Sequence, residues 1–180
     1  MVAYATIARE CGVSAKTVQQ YFQILDDTLL GVFLQPWTRT KKRRAILTPK
    51  FYFFDCGVPN TLLGRSLSPR TPEFGVAFEQ LLVLEAMTAS HYERRIEDVR
   101  FWRSAAGHEV DLLLNGHTAV EFKSGRVHAG DAAGLRALSE EMKLKRLWMV
   151  CTEPEPRRLG NGIDVVPWPL YLQRLWSWKD

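Results

Sequence analysis

The sequence predicts an α+β fold, and three observations support that prediction. Two short helical segments, 4–10 and 15–27, open the chain. Two strand-like runs of alternating polar and apolar residues meet at Asn115–Gly116, a pair that tolerates positive φ and favours a hairpin. A long helix with an apolar stripe precedes this hairpin, and a helix and a strand follow it. We therefore expect two parts, residues 1–48 and residues 49–180.

The composition is that of an ordinary globular protein. Of the 180 residues, 46% are hydrophobic and 24% are charged, which is enough to build a core. The net charge of +4 is compatible with nucleic-acid binding but does not require it. The three cysteines lie far apart and outside any zinc motif, which favours a reducing, cytoplasmic location. No apolar run reaches the roughly 18 residues that a membrane span needs, so we expect no membrane association.

The first part has the pattern of a winged helix-turn-helix. Gly12 can end the first helix in the left-handed conformation, and Ser14 can cap the second. The apolar stripe of the second helix consists of Val18, Tyr21, Phe22 and Leu25. Its exposed face, which would contact DNA, comprises Lys16, Thr17, Gln19 and Gln20. The alternative is a helical pair that serves only for packing.

A basic loop follows these helices. We expect Val32–Leu34 to be the first strand of the wing and Ala45–Leu47 to be the second. The tip between them consists of Lys41, Lys42, Arg43 and Arg44. Four consecutive cations can neutralise phosphates, although a solvated turn is the other interpretation. A winged helix normally carries one more helix before these two, so we expect the chain to lack that helix and to be a piece of something longer.

The remaining elements belong to the second part. Phe51–Phe54 is predicted to be a strand, and Asp55 is predicted to cap a short helix that ends at Gly64. A loop with two prolines covers 66–72, and the long helix covers Glu73–His91. The elements predicted after it are strand 99–103, hairpin strands 109–114 and 118–123, helix 129–143, strand 146–150, loop 153–162, strand 163–167 and helix 169–178.

The register of the hairpin follows from its pattern. A two-residue loop would pair Asp111 with Val120 and bring a charge into the apolar face. A three-residue loop, 115–117, instead pairs Asp111 with Glu121. It also pairs Leu112 with Val120, so that the polar and apolar faces separate. In this register, the Cβ atoms of Asp111 and Glu121 would lie roughly 5 Å apart.

Two carboxylates at this distance repel each other, and a divalent cation such as Mg²⁺ or Mn²⁺ would remove the repulsion because hard cations bind carboxylate oxygens. Lys123 would lie on the same face, where it could hold a water or a phosphate. Glu79 and Glu85 of the long helix are candidates for a third acid, because a carboxylate beside an apolar stripe is costly unless it is paired or metal-bound. The alternative is a solvated hairpin face with a Glu121–Lys123 ion pair.

The spacing Asp-x9-Glu-x-Lys resembles the core motif of the PD-(D/E)XK nuclease superfamily, although Val110 stands where that superfamily often has Pro. The predicted order of elements is similar to its restriction-endonuclease-like αβββαβ core. Nearly the whole chain also resembles the C-terminal region of a family of prokaryotic AAA+-type ATP-binding proteins, in which a winged helix and a domain of unknown function follow the ATPase domain. The segments that carry this likeness are LDDTLL, PKFYFFDCGVPNTLLG, GVAFEQLLVLEA and GHEVDLLL…AVEFKSG. The sequence contains no GxxxxGK[ST] motif for binding ATP.

The resemblance implies a catalytic metal site. Its catalytic residues would be Glu79, Asp111, Glu121 and Lys123. Asp111 and Glu121 would hold Mg²⁺ or Mn²⁺ together with the Phe122 carbonyl, and Glu79 would complete the site through a water. Lys123 would orient the attacking water and stabilise the developing charge. Glu109 matches the family pattern, but the resemblance assigns it no role.

The function implied is that of a Mg²⁺-dependent endodeoxyribonuclease with DNA as its partner, formerly coupled to an ATPase domain. The alternative is a non-catalytic module with a nuclease fold that binds DNA or another protein.

Overall fold

The computed structural model of the protein describes residues 1–69 and 71–178, without the side chain of Glu93. Within these residues, a two-stranded sheet lies in the N-terminal part and a six-stranded sheet carries helices on both faces. The fold is therefore α+β, as the sequence predicts. No helix in the described part is long and apolar enough to cross a membrane.

The helix-turn-helix forms as its capping residues predict. α1 (Tyr4–Cys11) ends at Gly12, which has a φ of 67°. α2 (Ala15–Asp27) begins after Ser14, whose hydroxyl accepts a hydrogen bond from the N–H of Thr17. Both caps satisfy backbone groups that a helix terminus would otherwise leave unpaired.

The strand pair that follows differs from the predicted wing. β1 (Gly31–Leu34) pairs antiparallel with β2 (Lys50–Phe53), so the pairing predicted with 45–47 is wrong. The physical reason is aromatic packing, because β2 carries rings that complete a cluster with α2. The rings of that cluster are those of Phe22, Phe33 and Phe51. Residues 50–53 thus pack with the N-terminal helices, beyond the boundary expected at residue 48.

The loop between β1 and β2 runs along the larger sheet. The N–H of Trp37 donates to the carbonyl of Phe101, and the N–H of Phe101 donates to the carbonyl of Gln35. Further along, Ala45 forms an antiparallel bridge with Ser104. The predicted second wing strand is therefore a short segment attached to the other part of the protein.

The six-stranded sheet has the strand order β3-β4-β5-β6-β8-β7. Its first three strands are antiparallel, β6 and β8 run parallel to β5, and β7 is antiparallel to β8. The strands are β3 (Val99–Arg103), β4 (Glu109–Leu114), β5 (Thr118–Lys123), β6 (Arg146–Cys151), β7 (Arg157–Arg158) and β8 (Ile163–Pro167). The short β7 lies within the loop predicted at 153–162.

Four more helices complete the fold in the described part. They are α3 (Gly57–Leu62), α4 (Pro72–Glu93), α5 (Ala133–Ser139) and α6 (Trp168–Trp176). The order α4, β3, β4, β5, α5, β6 is the predicted helix, three strands, helix and strand. The helix predicted at 129–143 is shorter, because a 3-10 turn (Ala129–Ala132) precedes α5.

Two apolar clusters lie on opposite faces of the sheet. On the face covered by α4 and α6, the cluster includes Leu82, Phe101, Leu112, Val120, Phe122 and Tyr171. On the face covered by α5, it includes Trp102, Val110, Leu113, Ala119, Leu135 and Met149. Val120 and Phe122 thus share the α4 face, so the alternation of a strand turns Glu121 and Lys123 towards the α5 face.

Candidate functional site

The end of the β4–β5 hairpin is where the predicted acids meet. Leu112 pairs with Val120, which confirms the three-residue loop predicted between the strands. Beyond this pair, Asp111 Oδ2 accepts a hydrogen bond of 2.8 Å from the N–H of Phe122. The carboxylate of Asp111 therefore lies against the peptide that joins Glu121 to Phe122.

A β-bulge positions Asp111 at this point. One extra β4 residue lies between the pairs Arg100–Leu113 and Trp102–Val110. A bulge of this kind redirects a side chain. Asp111 consequently faces Lys50 on the α4 side, while Val110 joins the cluster under α5. The expectation that Asp111 and Glu121 project from one face is therefore wrong, because Asp111 lies on the α4 side against the peptide that joins Glu121 to Phe122, whereas Glu121 faces α5.

Lys50 of β2 lies at the centre of the acidic residues, and sequence reasoning missed it. Its Nζ is 2.9 Å from Glu79 Oε1 and 2.8 Å from Glu109 Oε1. A third carboxylate oxygen, Asp111 Oδ1, lies at 3.5 Å. The side chain of Lys50 is only 9% exposed. A lysine that begins a run of aromatic strand residues, KFYFF, was the signal that could have revealed it.

Of the two candidate carboxylates on α4, Glu79 belongs to this cluster. Its Oε1 also accepts a 2.7 Å hydrogen bond from the hydroxyl of Tyr52. Glu85 lies elsewhere, where its Oε2 accepts a hydrogen bond from the indole N–H of Trp176. Glu109 forms a second ion pair, with Arg103, which lies 3.1 Å from its Oε2.

Burial controls the protonation of the two hairpin acids. Desolvation, reinforced by the charge of Glu79 and opposed by Lys50, raises the pKa of Asp111 to about 7. Desolvation and the charge of Asp111 raise the pKa of Glu121 to about 9. Within the described residues, Glu121 Oε2 is a buried oxygen with no hydrogen-bond partner. The end of the hairpin therefore holds two carboxyl groups that folding makes harder to ionise.

Lys50 and Lys123 differ in their surroundings. Burial alone would lower the pKa of Lys50, but Asp111, Glu79 and Glu109 raise it overall, so its amine stays charged. Lys123 is 39% exposed, and its Nζ is 4.0 Å from Asp131 Oδ1. The charge of Lys123 also favours the ionised form of Glu121. Lys123 is thus the more accessible ammonium beside the hairpin acids.

Two carboxylates at the end of the hairpin are the oxygen donors that could hold a magnesium-type ion. Within residues 1–69 and 71–178, no group of three His, Cys, Asp or Glu side chains is arranged to hold a metal. Mg²⁺, however, often binds through one or two carboxylates and completes its shell with waters and substrate phosphates. Asp111 and Glu121, one oxygen of which has no partner among the described residues, are the two carboxylates that could act in this way. Glu79 and Glu109 are already paired with Lys50.

The basic loop at 41–44 is divided between two roles. Arg43 forms ion pairs of 2.7 Å with Glu140 and 2.9 Å with Glu141, so its guanidinium fixes the loop to the end of α5. The backbone N–H groups of Lys41 and Lys42 donate to Glu141 Oε2. The exposed residues of this loop are Lys41, Lys42 and Arg44. Of the four predicted DNA contacts, Arg43 is therefore a structural anchor.

The predicted face of α2 is largely open. Lys16, Gln19 and Gln20 are exposed, whereas Thr17 is half-buried and its hydroxyl lies 2.8 Å from that of Ser14. Tyr21 is 64% exposed, so its place in the predicted apolar stripe is wrong. Val18, Phe22 and Leu25 suffice to pack this helix, and Tyr21 lies at the margin of that stripe.

Comparison with known proteins gives two family matches. Residues 1–68 match a domain of unknown function (DUF8612), and residues 74–171 match a second domain of unknown function (DUF4143). The chain is also 32% identical over 169 residues to the uncharacterized proteins Mb2031c of Mycobacterium bovis and Rv2008c of Mycobacterium tuberculosis. These alignments cover 91% of this chain but only 37% of each relative. No solved structure gives a significant match.

Proposed function

The chain belongs to the family of the domain of unknown function DUF4143, and we propose that it carries a Mg²⁺-dependent phosphodiesterase site that acts on DNA. One observation carries the proposal. Asp111 lies against the peptide that joins Glu121 to Phe122, and Glu121 Oε2 is buried there without a partner among the described residues. An uncompensated acidic pair in this position favours a divalent cation over a second protein contact.

The charges at the hairpin support this proposal. Burial raises the pKa values of both carboxyl groups, and the charge of Asp111 raises that of Glu121 further, so a bound cation would stabilise their ionised forms. Asp111 and Glu121 would hold the metal with the Phe122 carbonyl, and Glu79 would act through a water. When bound, the ion supplies an acidified water and a counter-charge for the phosphate.

Lys123 would act on the substrate. Its ammonium is close enough to Glu121 to influence that carboxyl group, yet it is 39% exposed and therefore accessible to DNA. In this position it can hold a phosphate oxygen and orient the attacking water. Lys41, Lys42 and Arg44 would add phosphate contacts through their exposed charges. We also propose that an AAA+-type ATPase domain works with this module, because the chain resembles a region that follows such a domain and because its relatives extend well beyond the aligned 37% of their length.

A second candidate is a non-catalytic module with the same fold, which would bind DNA or a protein. The observation that favours it is Lys50, whose ammonium already neutralises Glu79, Glu109 and Asp111. In that case the acids serve to join β2 to the hairpin and to α4, and the fold needs no metal.

The test combines DNA cleavage with thermal melting. We expect the wild type to nick supercoiled plasmid DNA with Mg²⁺ or Mn²⁺ and to melt at a higher temperature with the metal. Asp111→Ala should lose both effects and remain folded. Asp164→Ala is a matched control, because Asp164 lies in the same sheet and forms its ion pair with the exposed Arg158.

The opposite result would favour the non-catalytic module. In that case the wild type nicks no DNA, the metal leaves its melting temperature unchanged, and Asp111→Ala melts well below the wild type because a structural network is broken.

A further inference from the structure

Lys50 brings a positive charge into the acidic cluster from a distant part of the chain. Its strand, β2, is hydrogen-bonded to β1 and packs with α2. Its side chain nevertheless ends between Glu79 of α4 and Glu109 of β4. The N-terminal strand pair thus supplies the counter-ion of a site whose acids lie in the second part.

We propose that Lys50 is a positioning residue whose ammonium competes with a divalent cation for Asp111. This inference rests on the proposed function, since it concerns the same acids. Without the metal, the ammonium holds the carboxylates together. When a metal binds, the ammonium leaves Asp111 and stays with its remaining partners.

The distances favour an exchange of this kind. Lys50 is held at 2.9 Å by Glu79 and at 2.8 Å by Glu109, whereas Asp111 is at 3.5 Å. Its weakest contact is therefore to the residue that is best placed to bind a metal. A small movement of the ammonium would free Asp111 Oδ1 without breaking the two shorter ion pairs.

The other acids have partners that allow Lys50 to move. Glu109 is also paired with Arg103, and Glu79 also accepts a hydrogen bond from Tyr52. Asp111 Oδ2 keeps the hydrogen bond that it accepts from the Phe122 N–H. Each carboxylate would thus retain one hydrogen bond or ion pair if the ammonium withdrew, and a divalent cation would replace the positive charge withdrawn from Asp111.

The ring of Phe101 limits how far the ammonium can withdraw. Nζ of Lys50 lies 5.4 Å from the centre of this ring, within the range of a cation–π contact. The ring belongs to the α4-side core, so it stays in place when the acids change partners. Lys50 would therefore remain beside the site after metal binding.

The experiment is a titration with Mn²⁺ alone, followed by calorimetry, on the full chain. We expect Lys50→Met to bind Mn²⁺ about 10-fold more tightly than the wild type, because a competing charge is removed. We expect Lys50→Arg to bind it several-fold more weakly, since a guanidinium fork can hold two carboxylates at once. Lys145→Met is the control, because Lys145 is exposed at the turn end of the hairpin and should not change the affinity.

Each result separates this inference from the proposed function. If the wild type nicks DNA and folded Lys50→Met binds Mn²⁺ with unchanged affinity, only the inference fails. If the wild type neither binds Mn²⁺ nor nicks DNA while Lys50→Met binds it, the inference holds and the proposed function fails. If no variant binds Mn²⁺, both fail. Should Lys50→Met not fold, Lys50→Arg decides, because an unchanged affinity in that variant overturns the competition.

Discussion

Asp111 and Glu121 are carboxylic acids that folding makes harder to ionise. Their ordinary pKa values of 3.8 and 4.5 rise to about 7 and about 9, mainly because both groups are desolvated. Between about pH 4 and pH 9, these two groups therefore bind more protons in the folded protein than in the unfolded chain. Their contribution to the free energy of unfolding falls as the pH rises through this range.

The first prediction concerns Glu121→Gln in a buffer with EDTA. An amide resembles the protonated acid and carries no charge at any pH, so the variant should lose less stability than the wild type as the pH rises. We expect the difference between them to grow by on the order of 4 kcal/mol between about pH 5.5 and pH 8.5. Urea denaturation at several pH values measures this.

The matched control is Glu155→Gln, which replaces an exposed glutamate in the loop after β6. It should leave the dependence on pH as in the wild type. Parallel curves for the wild type and Glu121→Gln would mean that Glu121 is ionised in the folded protein at all these pH values.

At the level of single elements, α5 packs so closely on β4 that one position must be glycine. A Cβ atom added at Gly134 would clash with the carbonyl oxygen of Glu109. We expect Gly134→Ala to lower the free energy of unfolding by about 2 kcal/mol or more, because backbone has to move. Gly130→Ala is the control, since a Cβ there meets nothing within 4 Å. Equal effects in urea denaturation would show that α5 adjusts freely.

The loop at 41–44 depends on one buried carboxylate. Glu141 is 1% exposed and accepts hydrogen bonds from the N–H groups of Lys41 and Lys42 and from Arg43. We expect Glu141→Ala to lower the melting temperature by about 5 °C or more, because two N–H groups lose their partner and the Arg43 guanidinium loses one of its two carboxylates.

Glu140→Ala offers a close comparison for this change. Glu140 pairs with the same guanidinium, but its side chain is 52% exposed, so its loss should lower the melting temperature by less than about 2 °C. Similar melting temperatures for the two variants would show that the loop is not anchored by Glu141.

Elements with strong local patterns were predictable. The bounds of the hairpin strands and the three-residue loop follow from alternation and from the turn chemistry of Asn115–Gly116. The bulge at Asp111 depends on how β4 pairs with β3, which no local pattern shows. Likewise, no local pattern shows the pairing of β1 with β2, because 15 residues separate the two strands. The role of Lys50 was not predictable either, because it is a single lysine in an aromatic strand.

At the level of the whole molecule, we expect the exposed cations of the basic loop to strengthen DNA binding. Lys41, Lys42 and Arg44 face solvent, while Arg43 is held in ion pairs. We expect the double variant Lys42→Ala/Arg44→Ala to bind DNA more weakly. The slope of log K against log salt concentration should also become shallower by about 2, because each of the two cations would otherwise neutralise one phosphate. Fluorescence anisotropy with a duplex at several salt concentrations measures both quantities.

Arg65→Ala is the control for this measurement, because Arg65 is an exposed cation outside the two predicted DNA-binding surfaces. It should keep the wild-type slope. If the slope is unchanged in the double variant as well, the loop is an ordinary solvated turn that does not contact DNA.

The backbone bonds between the β1–β2 loop and β3 have a consequence for solubility. β3 is the outermost strand of the six-stranded sheet, and such a strand offers unpaired N–H and C=O groups to any extended chain it meets. Here Gln35, Trp37 and Ile46 occupy those groups at Phe101 and Arg103. A fragment that begins at α4 would expose this edge and should self-associate through it, so the N-terminal residues protect the second part from aggregation.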